Sequence, residues 1–325
     1  MEYLKSQKYE APELMSKIMG PNPIKLEEEL LDGCALPEGS VVCDLGSGQG
    51  LTSVFLVKEY GFTVYAADLW SDPSDNMRFF EEMGLTNRQA VPLKADATAL
   101  PFAHGFFDAV VSVDSYNYFG RDPLYLGEHL LPLVSRGGEL LFAIPGMARD
   151  CHDDLPACLL ASWTPEQLDY MHDMAWWRAN LEQTGDAEIL DMREMTCTHE
   201  AWADWLECDN EYAAGDRAAV EAGDLTYLNT TAVRYPSSTT LLVLDVMPTL
   251  AYQTARRTKS IQAKVAVAAF VAAFSVLMVA GRLFSGVHWA TDIVGSILLA
   301  AGLFTMYRYA VARADARLAT ARSEG

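Results

Sequence analysis

Acidic side chains recur at the ends of short apolar runs in this sequence, and one of them opens a glycine-rich stretch. Residues 41–50 read Val41-Val42-Cys43-Asp44-Leu45-Gly46-Ser47-Gly48-Gln49-Gly50. The apolar residues predict a buried parallel strand, and the alternate glycines let the backbone turn sharply and approach a ligand before a helix starting near Leu51. Dehydrogenases, flavoproteins and plain tight turns share such a turn, so its neighbours decide its meaning. Asp68 follows Phe62–Ala67, where a carboxylate can accept both hydroxyls of a ribose. Asp96 follows Ala90–Lys94, and Asp114 closes Phe107–Val113. Four such strand ends predict four carboxylates along one edge of a parallel sheet, where open α/β sheets bind ligands. That edge repels a pyrophosphate and suits a cationic cofactor.

These residues resemble the class I S-adenosylmethionine-dependent methyltransferases over about residues 1–235. Asp44-Leu45-Gly46-Ser47-Gly48-Gln49-Gly50 looks like their first motif, Asp68 their ribose acid and Asp96 their adenine-binding acid; Leu100-Pro101-Phe102 and Phe107-Asp108 match the small-molecule branch. The resemblance implies S-adenosyl-L-methionine as cofactor, held by Asp44, Gly46, Ser47, Gly48, Gly50, Asp68, Leu69, Asp96, Ala97 and Asp114. It also implies a Rossmann-like, doubly wound seven-stranded sheet with an antiparallel last strand, and a lid from the helical segment 11–31 before the first strand.

In that fold the loop after the fourth strand faces the transferred methyl group. Asp114, Tyr116 and Tyr118 are therefore the catalytic candidates. Methyl transfer is an in-line displacement in which the protein positions the acceptor and, where needed, supplies a base. Asp114 is the candidate base or cofactor contact, and the tyrosines could orient an acceptor or face a methylammonium. Trp70 could pack beside an adenine. Trp163, Tyr170, His172, Trp176, Trp177, Trp202 and Trp205 crowd the region where similar enzymes insert acceptor-binding structure. Most of these tryptophans are expected in the core, and His172 reads either as a base or as a satisfied surface histidine.

The elements that must position these groups follow in alternation. Helices are expected over Leu51–Tyr60, Asp75–Met83 and Asp122–Val134, the last ending in a Ser135-Arg136-Gly137-Gly138 turn. Glu139–Ile144 is the expected fifth strand, Ala187–Met192 a late strand, Glu200–Ala222 a helix and Tyr227–Val233 the antiparallel strand.

The 325 residues carry a formal charge of −20, but residues 254–325 hold nine Lys and Arg against three acids, a net of +6, leaving −26 elsewhere. An acidic body argues against nucleic-acid substrates, which need a basic footprint. Six cysteines form no C-x-x-C pair and no zinc-spaced set with histidine, so no metal site is expected.

From residue 236 onward a hydrophobic, all-α, transmembrane-like segment is expected. Val265–Phe284 and Trp289–Tyr307 are apolar runs long enough to span a bilayer, with basic flanks at Arg256–Lys264 and Arg308–Arg322 that favour the cytoplasmic side. Arg282, His288 and Asp292 between them resemble the third motif of the type 2 phosphatidic acid phosphatases, with Gly281 where that family has serine. Tyr235-Pro236-Ser237-Ser238-Thr239-Thr240 looks like the second motif with Thr239 in place of the acid-base histidine, and the first motif is absent upstream. The resemblance thus implies half of such a phosphatase, without activity. The sequence reads as a cytoplasmic methyltransferase domain, 1–235, acting on a small-molecule or lipid-like acceptor, followed by a membrane anchor or a fused remnant.

Overall fold

The computed structural model describes residues 3–161, 163–184, 189–222 and 227–236, together with Ala269. Seven strands form one sheet among them: β1 (Val41–Leu45), β2 (Thr63–Asp68), β3 (Ala90–Lys94), β4 (Phe107–Val113), β5 (Val134–Met147), β6 (Asp191–Glu194) and β7 (Leu228–Pro236). Their order is β3-β2-β1-β4-β5-β7-β6. Pairings from β3 through β5 are parallel, and β7 runs antiparallel to both β5 and β6. The Rossmann-like sheet with its antiparallel last strand is thus the one the sequence predicts.

Helices flank the sheet: α1 (Pro12–Met15), α2 (Pro23–Leu30), α3 (Leu51–Tyr60), α4 (Pro73–Glu82), α5 (Tyr116–Phe119), α6 (Pro165–Leu168), α7 (Met174–Leu181), α8 (Thr198–Glu207) and α9 (Glu211–Ala222). With both faces covered, β1 buries Val42, Cys43, Asp44 and Leu45 alike, which is why it reads as a continuous apolar run rather than an alternating one. Several helices start where a side chain satisfies a free N–H. Asn22, Asp72 and Asp173 accept from Ile24, Ser74 and Trp176, and proline follows the first two in the position that lacks a donor.

Three expectations need correction. The helix over Asp122–Val134 is instead a π-helical turn, Leu126–Leu130, followed by a 3-10 turn, Leu131–Leu133. Pro132 cannot donate to the carbonyl of Glu128 and its ring crowds that turn, so a regular helix cannot run through. Gly137-Gly138 is not a turn before the strand but an irregularity inside β5, where pairing with β4 jumps from Phe107↔Val134 to Ala109↔Glu139. The helix over Glu200–Ala222 is two helices. Cys208 is extended, and the Asn210 side-chain Oδ1 accepts from Tyr212 N–H at 2.9 Å, which starts α9 afresh.

The residues named as common to the small-molecule branch are structural. Asp108 accepts the Val41 N–H at 2.8 Å, tying the start of β1 to β4. Phe102 packs with Tyr65, Phe106 and Phe107 at ring separations of 4.6–5.3 Å.

The segment before β1 is pinned by one carboxylate. Glu29 in α2 accepts from Tyr3 Oη at 3.0 Å, Thr196 N and Oγ1 at 2.9 Å each, and Cys197 N at 2.8 Å, and it pairs with Arg193. Burial alone would raise its pKa, but these donors outweigh burial and hold it at about 2. Because the folded value lies below the unfolded one, the stabilisation is present above about pH 4.5 and is lost as pH falls toward 2. Removing a buried partner of this kind costs about 3–5 kcal/mol. Glu29→Ala is therefore expected to lower the melting temperature sharply at pH 7. The gap between variant and wild type should narrow toward pH 3, as measured by thermal unfolding followed by circular dichroism.

Among the described residues no helix is long and apolar enough to cross a membrane. Apart from Ala269, the expected spans Val265–Phe284 and Trp289–Tyr307, with Arg282, His288 and Asp292, lie outside the described residues.

Candidate functional site

The glycine turn lies at the carboxyl ends of the parallel strands. Gly46, Gly48 and Gly50 all have positive φ, at 80°, 52° and 84°. Crowding makes two of them obligatory: a Cβ on Gly46 would stand 2.3 Å from Ser115 Oγ, and one on Gly50 2.5 Å from the Phe80 ring. At Gly48 a Cβ would meet nothing within 4 Å, so the middle of the turn faces open space. Beside it, the buried Ser47 hydroxyl has no hydrogen-bond partner. An open glycine cradle with an orphaned hydroxyl fits a small polar ligand such as S-adenosylmethionine.

Asp68 closes the other side of the cradle. Its Oδ2 accepts Gly48 N–H at 3.0 Å, and its Oδ1 accepts the N–H groups of Trp70 and Ser71 at 2.8 and 2.7 Å. The carboxylate is fixed in direction at the end of β2, and Asn76 holds the Gly48 carbonyl at 2.9 Å from α4. Leu69, next to it, is exposed. Asp96 is exposed beyond β3, with Oδ1 taken by Thr98 N and Oγ1 at 2.8 and 2.7 Å. These hydrogen bonds hold its pKa below the usual carboxylate range. The adjacent Ala97 carbonyl accepts from Tyr125 Oη at 3.0 Å.

Asp44 does not face the edge as freely as its spacing implies. It is buried, and its Oδ2 accepts Thr52 Oγ1 and Ser53 Oγ at 2.7 and 2.6 Å, fastening the first turn of α3 beneath the glycines. Burial lifts its pKa to about 6, against the lowering effect of those two hydroxyls.

Asp114 is the one described non-glycine residue with positive φ, at 54°. Its N–H bonds the Ala143 carbonyl at 2.9 Å, and its side chain packs against Gly20, in the segment joining α1 and α2. Burial first, then the charge of Asp216, pushes it up to about 8, so it holds its proton near neutrality. The two tyrosines of the loop part company. Tyr116 is fully buried, its ring stacked on Phe142 at 4.2 Å and covered by Gly120, so it lies in the core rather than over the cradle. Tyr118 is half exposed and sits edge-on to Trp70 at 5.8 Å, with Tyr170 at 5.4 Å on its other side. The Arg121 guanidinium already lies over the Tyr170 ring, 4.1 Å from its centroid. As expected for most of the tryptophans, Trp177, Trp202 and Trp205 are core residues. Trp176 stacks on His172 at 3.6 Å.

Sequence spacing missed one constellation. Asp150, His152 and His172 meet beyond the end of β5. An Asp-x-His pair with a second histidine twenty residues on matches no local motif, so only the fold reveals it.

With this geometry in hand, the comparisons with known proteins divide the chain as its motifs do. Residues 43–142 match the family model for a methyltransferase domain, and residues 199–315 match the PAP2 superfamily. Both resemblances read from the motifs are thereby borne out. The chain is 34% identical over 108 residues to the 2-methyl-6-phytyl-1,4-hydroquinone methyltransferase of Synechocystis sp., covering 33% of each protein. It is 27% identical over 161 residues to the sarcosine/dimethylglycine N-methyltransferase of Aphanothece halophytica, covering 49% of this chain and 56% of that one. The chain thus spans from a third to just over half of these relatives' length. Among solved structures, a putative sarcosine dimethylglycine methyltransferase from Galdieria sulphuraria superposes with a TM-score of 0.53 at 17% identity, over 66% of this chain and 86% of that one. The Haemonchus contortus phosphoethanolamine N-methyltransferase 2 in complex with S-adenosyl-L-methionine gives 0.54 at 17% identity, over 73% and 60%. These superpositions establish the fold.

Because the folded Asp44 has its pKa raised from 3.8 to about 6, the fold favours its neutral form. The unfolded chain releases that proton first, so the ligand-free protein loses stability as pH rises from about 4 to 6 and carries the full penalty above. Asp44→Asn removes this titration and is expected to flatten that part of the curve. A melting-temperature series from pH 4 to 8, wild type against variant, measures it.

Proposed function

We propose that residues 1–235 form a domain that binds S-adenosyl-L-methionine and transfers its methyl group to a small-molecule acceptor. The observation that carries this reading is the fixed pairing of Gly48 N–H with the Asp68 carboxylate across an open, three-glycine turn. In the occupied site Asp68 receives the ribose hydroxyls, the Ser47 hydroxyl gains its missing partner, and the N-terminus of α3 favours the methionine carboxylate. Leu69, Asp96 and Ala97 frame the adenine, and Asp114 meets the methionine end or the acceptor. When bound, the cofactor supplies the electrophilic methyl group. The chain's own part is to orient the acceptor for in-line attack and to exclude water.

An amine is the acceptor class favoured here. Trp70, Tyr118 and Tyr170 form an aromatic row beside the cradle, and such faces attract methylated ammonium groups. Two relatives are named for sarcosine and dimethylglycine, and one structural neighbour for phosphoethanolamine, all nitrogen acceptors. Tyr118 is the orienting residue. The protonated Asp114 donates a hydrogen bond rather than acting as a base near neutral pH. The hydrophobic C-terminal segment serves as a membrane anchor that keeps the domain on the cytoplasmic face, which would extend the acceptors to lipid-like amines.

A second reading, a membrane lipid-phosphate phosphatase using His288 and Asp292, draws on the match over residues 199–315. Residues 228–236 of that match are strand β7 of the sheet, paired with both β5 and β6, and Thr239 replaces the acid-base histidine. No phosphate release from a lipid phosphate is expected from the full chain.

Calorimetry on the full chain is expected to give micromolar binding of S-adenosyl-L-methionine, about −8 kcal/mol, and at least a tenfold loss in Asp68→Ala. A folded wild type that does not bind would overturn the reading. In a methyl-transfer assay with glycine-derived and ethanolamine-derived amines, Tyr118→Ala is expected to raise KM several-fold while leaving cofactor affinity unchanged.

A further inference from the structure

We infer that Asp150, His152 and His172 form a binding site for a divalent transition-metal ion at the carboxyl end of β5. The inference stands on the geometry of this cluster and does not depend on the methyltransferase reading. One ligand atom from each residue lies within 4.8 Å of the others. The two carboxylate oxygens of Asp150 are divided between the rings: Oδ1 is 2.6 Å from His152 Nδ1, and Oδ2 is 3.1 Å from His172 Nδ1.

The hydrogen bonds of His152 decide which of its nitrogens can ligate. His152 Nε2 lies 3.0 Å from the Leu168 carbonyl, which can only accept, so Nε2 carries a proton. In the neutral ring Nδ1 then presents a lone pair to a carboxylate oxygen 2.6 Å away. With a proton on Nδ1 the contact is an imidazolium–carboxylate pair; a metal ion can take the place of that proton and leave the Nε2–H bond to the carbonyl intact, the arrangement in which a ligating histidine is oriented by a backbone acceptor. Around an ion with ligand distances of about 2.0–2.2 Å the donors sit roughly 3.3–3.6 Å apart, so on binding the Asp150–His152 pair opens and the widest separation closes.

The framework is already rigid. Met147 N–H donates to the His172 carbonyl, and a Cβ on Gly146 would stand 2.0 Å from that oxygen, so β5 presses directly on the His172 backbone. Asp173 accepts the Asp150 N–H at 3.1 Å with one oxygen and caps α7 with the other. The His172 ring is clamped flat against Trp176, with 9° between planes. Side-chain exposures of 34%, 25% and 12% for Asp150, His152 and His172 leave a path for an ion. Two imidazoles and one carboxylate suit Zn²⁺, Fe²⁺ or Co²⁺ rather than Mg²⁺ or Ca²⁺. Three protein ligands leave coordination positions for oxygen or nitrogen donors of a small molecule, the pattern of open rather than purely structural sites.

The test uses the untagged full chain, stripped with chelator and titrated with Co²⁺ and then Zn²⁺. One equivalent of Co²⁺ is expected to bind, to produce visible ligand-field absorption and to quench tryptophan fluorescence through Trp176, and Zn²⁺ is expected to displace it. His152→Ala and His172→Ala should each weaken Co²⁺ at least tenfold, with far-UV circular dichroism confirming the fold. Asp150→Asn, which keeps the shape of the side chain, should weaken it similarly. Absence of stoichiometric binding by the folded wild type would overturn the inference, as would affinity unchanged in all three variants, which would place the ion on other ligands of the chain.

Discussion

The candidate site depends on how closely two turns approach at the edge of the sheet. Ser115, just past β4, donates to the Leu45 carbonyl at 2.9 Å and is itself 2.7 Å from the Ser112 hydroxyl. That contact leaves no space for a side chain at position 46, and it locks the β1 turn to the β4 turn. Everything that bears on ligand binding is hung from this junction. The glycine cradle opens on one side of it, toward Asp68. The Asp114 backbone is forced into positive φ on the other, which aims its side chain at the segment before β1 and carries Tyr118 out toward Trp70.

Buried acids divide into two electrostatic types across the molecule. Glu29 is surrounded by donors, stays charged and works as a fastener between α2 and the β6–α8 region. For Asp44, Asp114 and Glu27 burial dominates, although two hydroxyls donate to Asp44. Burial raises all three, and both carboxylate oxygens of Glu27 lack a partner altogether. The first type stabilises the fold. Burial biases the second type toward its neutral form, which a cation bound nearby would oppose.

The aromatic residues show the same division between scaffold and surface. Trp177, Trp205 and Tyr116 fill the space between sheet and helices, whereas Trp70 and Tyr118 are exposed and Tyr170 beside them is half-buried with Arg121 over one face. Packing density fixes the first group; loop positions free the second to meet a ligand. The PAP2-type match adds a separate layer, beginning in helices and a strand that belong to the α/β sheet and running on beyond the described residues.

The first four strands, helix α3 and the glycine turn were legible in the sequence because buried parallel strands are continuous apolar runs, and because positive φ calls for glycine at fixed spacing. The ends of Leu51–Tyr60 and Ala90–Lys94 could be read to the residue for that reason; the expected Glu139–Ile144, Ala187–Met192 and Tyr227–Val233 are instead Val134–Met147, Asp191–Glu194 and Leu228–Pro236. Helix interruptions were less legible: Pro132 acts through its missing N–H and Asn210 through a side-chain cap, neither of which periodicity registers. The roles of individual acids and tyrosines were not legible at all. Asp44 and Asp68 occupy equivalent strand ends, yet one fastens a helix and the other faces the cradle; Tyr116 and Tyr118 are two residues apart, yet one is core and the other surface. By itself the sequence determined the sheet, the cradle and the class of cofactor, since these follow from local patterns of size, polarity and φ. Only the tertiary structure decided which carboxylates stay neutral and which aromatic faces are open. It alone brought Asp150, His152 and His172 together, because burial and partner geometry arise from chain segments far apart in sequence.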